Sequence, residues 1–164
     1  MNLIFRMMMI LFLAKRKPLM RAFEVSRVFM RVLPNDLDIQ MHMNNGRYLS
    51  IMDLGRIDMM VRNGFWDIAR NKGWFPLVGA ARMEYRRALT VFQRYEMTSQ
   101  IVGWDDRWIF VEQQFLYGDK LCTRALFKTM IRSKDGLVTP TEVLAAAGLH
   151  LKSPELTAEM LGLG

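Results

Sequence analysis

Apolar and polar residues recur at two periods along this chain, and the change of period marks its elements. In residues 23–33, Phe23, Val25, Val28, Met30 and Val32 give an imperfect two-residue alternation, which predicts a first strand. Pro34 and Asn35 close it. Residues 45–63 change to helical spacing. Tyr48, Leu49, Ile51, Met52, Leu54, Ile57, Met59, Met60 and Val61 cover more than one stripe, so the helix is expected to be largely buried. Its charges stand at pairing distance, Asp53 with Arg56 and Asp58 with Arg62. Asn63-Gly64 supplies the stop. A loop is expected over 66–74. Strands follow over 75–85, 95–104, 107–117 and 121–132, with turns at Asp105-Asp106, Gly118-Asp119-Lys120 and Lys134-Asp135-Gly136. Long strands joined by short turns predict an antiparallel meander. In the tail, Thr139-Pro140-Thr141-Glu142 forms a capping box, and Ser153-Pro154-Glu155 repeats the start signal before a helix over 156–161.

These elements define an α+β fold of one strand, one long helix, four strands and terminal helices. One antiparallel sheet covers a helix on one side only. A helix that is apolar nearly all round therefore needs a curled sheet and a second cover, a role open to another copy of the chain.

Composition narrows the picture. The 164 residues suit one domain, and 51% hydrophobic with 24% charged residues is a globular profile. One cysteine, Cys122, excludes an intramolecular disulfide and suggests a reducing compartment or indifference to redox. It sits mid-strand with no nearby base and reads as packing. Two distant histidines and one cysteine give no zinc spacing. The net charge of +7 is uneven: residues 1–31 hold seven cations and one anion, and the remainder is nearly neutral. That distribution argues against a nucleic-acid reader, which carries its basic stripe on the folded body.

The first twenty residues read as an apolar and basic segment, 21–137 as the main domain, and 138–164 as a helical tail. The apolar run from Met7 to Ala14 is too short for a spanning helix, which needs about 20 residues. Cations follow the run instead of preceding it, a poor fit to a cleavable leader. Three placements stay open: an interfacial anchor with Lys15, Arg16 and Lys17 at anionic headgroups, packing on the domain, or cover for a neighbouring subunit. A cytoplasmic protein, with or without membrane association, is expected.

The candidate chemistry lies in LPNDLDIQMHMNNGRYL, residues 33–49. It gathers Asp36, Asp38, Gln40, His42, Asn44 and Asn45 just ahead of the long helix. A carboxylate, an imidazole and amides before a helix N-terminus are the parts needed to hydrolyse an acyl bond. Each residue also has a structural reading, since aspartate and asparagine are common caps.

The order of elements, with the run DLDIQMHMNNGRYLSIMDLGR, resembles the hotdog-fold acyl thioesterases. That group includes the 4-hydroxybenzoyl-CoA thioesterase family and plant acyl-acyl carrier protein thioesterases. LVGAARMEYRRAL, QRYEMTSQIVGWDDRW and VEQQF look closer still to the thioesterase superfamily member six type. The resemblance implies a five- or six-stranded sheet wrapped around the central helix. It implies homodimers or homotetramers with sites at the subunit interface, an acyl-CoA or acyl carrier protein thioester as substrate, and no cofactor or metal. By the same likeness Asp38 is the catalytic carboxylate, as nucleophile or general base, with Asp36 structural. Gln40 orients a water or the carbonyl, standing where the plant pattern has asparagine. His42 tunes Asp38 or bonds substrate. The Asn45 backbone N–H polarises the thioester carbonyl, a role that free amides and the dipole at a helix start also favour. The Asn44 and Asn45 side chains cap the helix, and Gly46 admits the substrate. Arg47, Arg82, Arg86 and Arg87 are candidates for the phosphates of coenzyme A or an acidic carrier. Asp53, where some hotdog enzymes carry a glutamate, reads as a structural partner of Arg56. Trp104, Trp108 and Phe110 are expected to line the core or an acyl tunnel. The alternative function is a non-catalytic acyl-thioester binding protein. A hydratase is weaker, because no hydratase-type motif flanks the helix.

Overall fold

The computed structural model describes residues 3–164. Helix α1 (Leu3–Ala14) precedes strand β1 (Ser26–Arg31) and a 3-10 turn (Pro34–Asp36). Then come α2 (Asn45–Arg62), α3 (Phe65–Lys72), β2 (Phe75–Tyr85), β3 (Arg94–Trp104), β4 (Ile109–Tyr117), β5 (Lys120–Ser133) and β6 (Gly136–Val138). Helices α4 (Pro140–Ala146) and α5 (Ala158–Leu161) complete the chain. The sheet runs β1-β3-β4-β5-β2, with β6 hung on β5, and every pair is antiparallel.

The α+β class and the curled sheet around α2 are as expected. The meander holds only for β3, β4 and β5. β2 crosses over to pair with β5, and its other edge has no pairing strand among the described residues. The expected loop over 66–74 is mostly α3, bounded by Gly64 and Gly73, both at positive φ. Eight residues are too few for hydrophobic period to settle the assignment. β1 is shorter than its apolar alternation, because Phe23 leaves the strand and stacks on Trp104 at 5.1 Å. The last helix starts at Ala158 under a Thr157 cap. Ser153, expected to cap it, instead accepts the Trp104 N–H at 2.8 Å.

The concave side of the sheet packs on α2 through Tyr48, Ile51, Met52, Met97, Phe115 and Phe127. Gly55 permits that approach. A Cβ there would lie 2.7 Å from the Met97 methyl and 2.8 Å from Gln113 and Ser99. Gln113, fully buried, gives its amide N–H groups to the Met52 carbonyl and Ser99 Oγ and accepts from Arg56 at 2.7 Å. A polar group buried this deeply survives because each of these contacts compensates its lost water. On the convex side, Phe110 and Leu126 pack under Met160 and Leu163 of the tail, with Trp108 beside them. Trp108 and Phe110 therefore face away from α2; of the three expected aromatics, only Trp104 lines the cavity described below.

α1 packs along α2 and buries Arg6, Ile10 and Ala14, leaving Ile4, Phe5, Met8 and Phe12 exposed. Lys17, one of the three cations considered for headgroups, bonds Asp58 at 2.9 Å instead. No helix among the described residues is long and apolar enough to cross a membrane.

Candidate active site

The site begins where β1 ends. Leu33 caps the 3-10 turn (Pro34–Asp36), and the chain then forms a tight hairpin in which Leu37 bridges Met43. The Asp38 N–H bonds the His42 carbonyl at 2.8 Å, and the Met41 N–H bonds the Asp38 carbonyl at 3.1 Å. Met41 adopts φ 62°, a left-handed position that closes the turn without glycine. A second bridge, His42 to Thr90, fastens the hairpin to the β2–β3 connection.

Asp38 therefore sits on a tight hairpin and not directly at a strand end. Its Oδ1 accepts the N–H groups of Gln40 at 2.9 Å and His42 at 3.2 Å. Its Oδ2 takes no donor among the described residues. The side chain is half-buried, oriented on one oxygen and open on the other. His42 reaches Asp38 through its backbone amide; its ring makes no hydrogen bond among the described residues. Gln40 likewise contributes its N–H, and its side chain is exposed. Ile39, fully exposed, stands at the hairpin tip.

The chain then enters α2. Asn44 is the N-cap, and its Oδ1 accepts the Gly46 N–H at 2.9 Å. The Arg47 N–H goes to the Asn44 carbonyl at 2.9 Å. The first N–H groups of any helix lack intrahelical acceptors. Here that leaves the Asn45 N–H with no acceptor among the described residues. It is a free donor at the positive end of an 18-residue helix. Asn44 carries the side-chain cap; Asn45 is the first helical residue. Tyr85, which the sequence did not single out, donates its hydroxyl to the Asn45 carbonyl at 3.3 Å and brings the end of β2 to the helix start. The backbone amides of Arg86 and Arg87 continue from there to the Cys122 carbonyl. Burial pushes the Cys122 thiol up, as befits a packing residue.

The arginines divide. Arg47 gives its guanidinium to the Asn35 carbonyl at 3.3 and 3.0 Å and approaches Asp36 at 3.5 Å, so it braces the loop instead of reaching outward. Arg86 pairs with Glu84 at 2.9 Å, and Arg82 approaches Glu159 at 3.8 Å. Arg87 is exposed, and its guanidinium makes no hydrogen bond or ion pair among the described residues. Asp36, 1% exposed, is bound by Arg6 and holds the Leu33 N–H. Its structural reading is thus met, with a partner the sequence did not disclose.

A cavity of about 510 Å³ runs along α2, between the sheet, α1 and α4. Its walls are apolar, with Ile57, Met60, Leu77, Ile101, Trp104 and Leu144 among them. Asp53 and Arg56 stand at it and pair with each other. The Arg56 guanidinium lies 4.1 Å over the Phe127 ring, and desolvation lowers its pKa from the ordinary value. Asp38 does not line this cavity in the single chain.

A hotdog-type sheet around a buried helix, with an acidic hairpin at the helix start, defines a class of protein, and comparison agrees. The model of the thioesterase-like superfamily matches residues 32–154, and the chain belongs to that family. Protein THEM6 of Danio rerio is 38% identical over 86 residues, which span 52% of this chain and 43% of that protein. A probable thioesterase of Saccharomyces cerevisiae, YBR096W, is 26% identical over 121 residues, 71% of this chain and 52% of that protein. The chain spans about half the length of the curated relatives it matches. Among solved structures, the YbaW probable thioesterase of Escherichia coli superposes with TM-score 0.68 at 19% identity, covering 74% of this chain and 97% of that one. A gentisyl-coenzyme A thioesterase, BH1999, gives 0.65 at 16% identity, covering 74% and 99%. At these identities the structures establish the fold.

Proposed function

We propose that this protein hydrolyses an acyl thioester, releasing a carboxylate and a thiol. Asp38 is the reacting carboxylate, either attacking the carbonyl carbon or taking a proton from the attacking water. The Asn45 N–H donates to the oxygen that gains charge. One observation carries the reading: a carboxylate with one oxygen fixed by two amides and the other taking no donor among the described residues, on the same short loop as a helix N-terminal N–H that finds no acceptor among them. Membership of a thioesterase-like family supports it. Coenzyme A is the favoured thiol, because solved neighbours of the same fold are named for CoA esters. Arg86 and Arg87, at the β2 end brought to the helix start, are the cations suited to its phosphates. The apolar cavity suits an aliphatic acyl chain. A second copy, pairing at the free edge of β2, encloses the Asp38 hairpin that stands open in one chain. A carrier-protein thioester and a non-catalytic binding role are the alternatives.

A second catalytic reading has its own observation. Asp53 stands at the cavity and Asp38 does not. Thiol release from a panel of acyl-CoA substrates decides between them. Asp38→Asn is expected to lower kcat by about 10²–10⁴-fold, the usual worth of a positioned acid or base. Asp53→Asn is expected to retain turnover. The reverse pattern would move the chemistry to Asp53. No turnover by the unaltered protein, with tight acyl-CoA binding, would leave a binding protein.

A further inference from the structure

We infer that Arg6 is a positioning residue of the Asp38 site, and that α1, which lies outside the matched segment 32–154, is built into that site. The inference rests on the reading of Asp38 given above.

The Arg6 guanidinium meets the Asp36 carboxylate with two hydrogen bonds, 3.0 and 2.6 Å. Both side chains are nearly inaccessible, 2% and 1% exposed. Asp36 is the crossing point of the catalytic loop. Its Oδ2 accepts the Leu33 N–H at 2.9 Å, fixing the arm that enters the hairpin. Its carbonyl accepts the Asn44 N–H at 2.8 Å, fixing the arm that leaves into α2. The strand-side approach to Asp38 and the amide of Asn45 are thus registered to one another through one residue, and Arg6 holds that residue in place.

Arg47 does not serve as a substitute. Its Nε stands 3.5 Å from Asp36 and its guanidinium is committed to the Asn35 carbonyl. Without Arg6 the Asp36 carboxylate is buried and under-compensated, a costly state that is relieved when the side chain turns toward water. That turn releases the Leu33 N–H and shifts the segment leading to Asp38. α1 holds Arg6 at a fixed place, because Ile10 and Ala14 are buried and Lys17, just past its end, bonds Asp58 of α2. Arg6 is also the lone charge in the sequence LIFRMMMILFLA, and a guanidinium on the packed face of such a helix is tolerated only when paired.

The experiment measures thiol release from acyl-CoA in the full chain carrying Arg6→Gln, Arg6→Lys, Asp38→Asn, or the pair Arg6→Met with Asp36→Leu. Rates are expressed per folded molecule, with folding followed by circular dichroism. Arg6→Gln is expected to lower kcat about 100-fold, the effect of misplacing a reacting group by about an ångström, with KM little changed. Arg6→Lys, which keeps the charge but loses the fork, is expected to fall between. The double variant separates positioning from stability. Apolar replacement of both partners restores folding, yet leucine cannot hold the Leu33 N–H, so kcat stays low. If Arg6→Gln does not fold, the double variant carries the test. Wild-type kcat per folded molecule in the Arg6 variants and in the double variant overturns the inference. Full turnover by Asp38→Asn overturns the catalytic reading instead, so the two failures are distinct.

Discussion

At the residue scale, the site is made of backbone amides held by short side chains. Asn44 occupies the Gly46 N–H, and the Asn45 N–H has no acceptor among the described residues. A Cβ on Gly46 would lie 3.3 Å from that capping oxygen, close enough that the Asn44 side chain would have to shift by a few tenths of an ångström. Asn44→Ala is expected to cost about 1 kcal/mol of stability, as loss of an N-cap usually does. It also frees a second N–H beside that of Asn45. Thermal melting measures the first effect, and an unchanged melting temperature would remove the cap from the account. These local roles were legible in the sequence, because a cap acts within two or three residues. Arg6 was not. Its partner Asp36 lies 30 residues away, and nothing in the apolar segment around it names that partner. Tyr85 was equally hidden, 40 residues from the carbonyl it bonds.

At the element scale, α2, the strands β3 to β5 and the Thr139–Glu142 capping box that opens α4 followed from period, turn chemistry and caps, whereas α3 and the start of α5 did not. The start of α5 depends on a contact outside it: Ser153, a plausible cap, is drawn to the backbone of Trp104. The tail instead closes over the convex face through Met160 and Leu163. Arg124 ties it down, bonding Glu159 at 2.9 and 3.0 Å and also Glu112. Those hydrogen bonds from Arg124 hold the Glu159 carboxyl below the usual carboxylate range. The folded value is depressed, so the contribution is fully present above the unfolded carboxylate value, about 4.3, and is lost as pH falls through the folded one. Residues 156–164 are therefore expected to lose amide protection, measured against the intrinsic exchange rate at each pH, below about pH 4 ahead of β3 to β5. Glu159→Gln is expected to weaken that acid dependence. Equal exchange in tail and sheet at every pH would refute the strap.

At the scale of the whole molecule, one edge of the sheet is unfinished. β2 runs 11 residues with Phe75, Leu77, Val78 and Tyr85 exposed, and among the described residues only β5 pairs with it. Long apolar edges are normally blunted or paired. The Asp38 hairpin, which leads into Asn45, stands near the end of this edge, since Tyr85 reaches Asn45. On the proposed pairing of two copies at β2, Phe75→Lys, which lies on this edge but outside the cavity wall, is expected to shift the solution mass from dimer to monomer and to reduce turnover with it. A monomeric unaltered protein that remains active would show that one chain completes the site. The sequence by itself determined the strands, the long buried helix and the acidic loop at its start, because period, turn residues and caps act between neighbours along the chain. Tertiary structure alone decided that β2 crosses to β5, that the tail covers the convex face and that Arg6 reaches beneath the loop, because burial and charge pairing join residues that the chain itself keeps far apart.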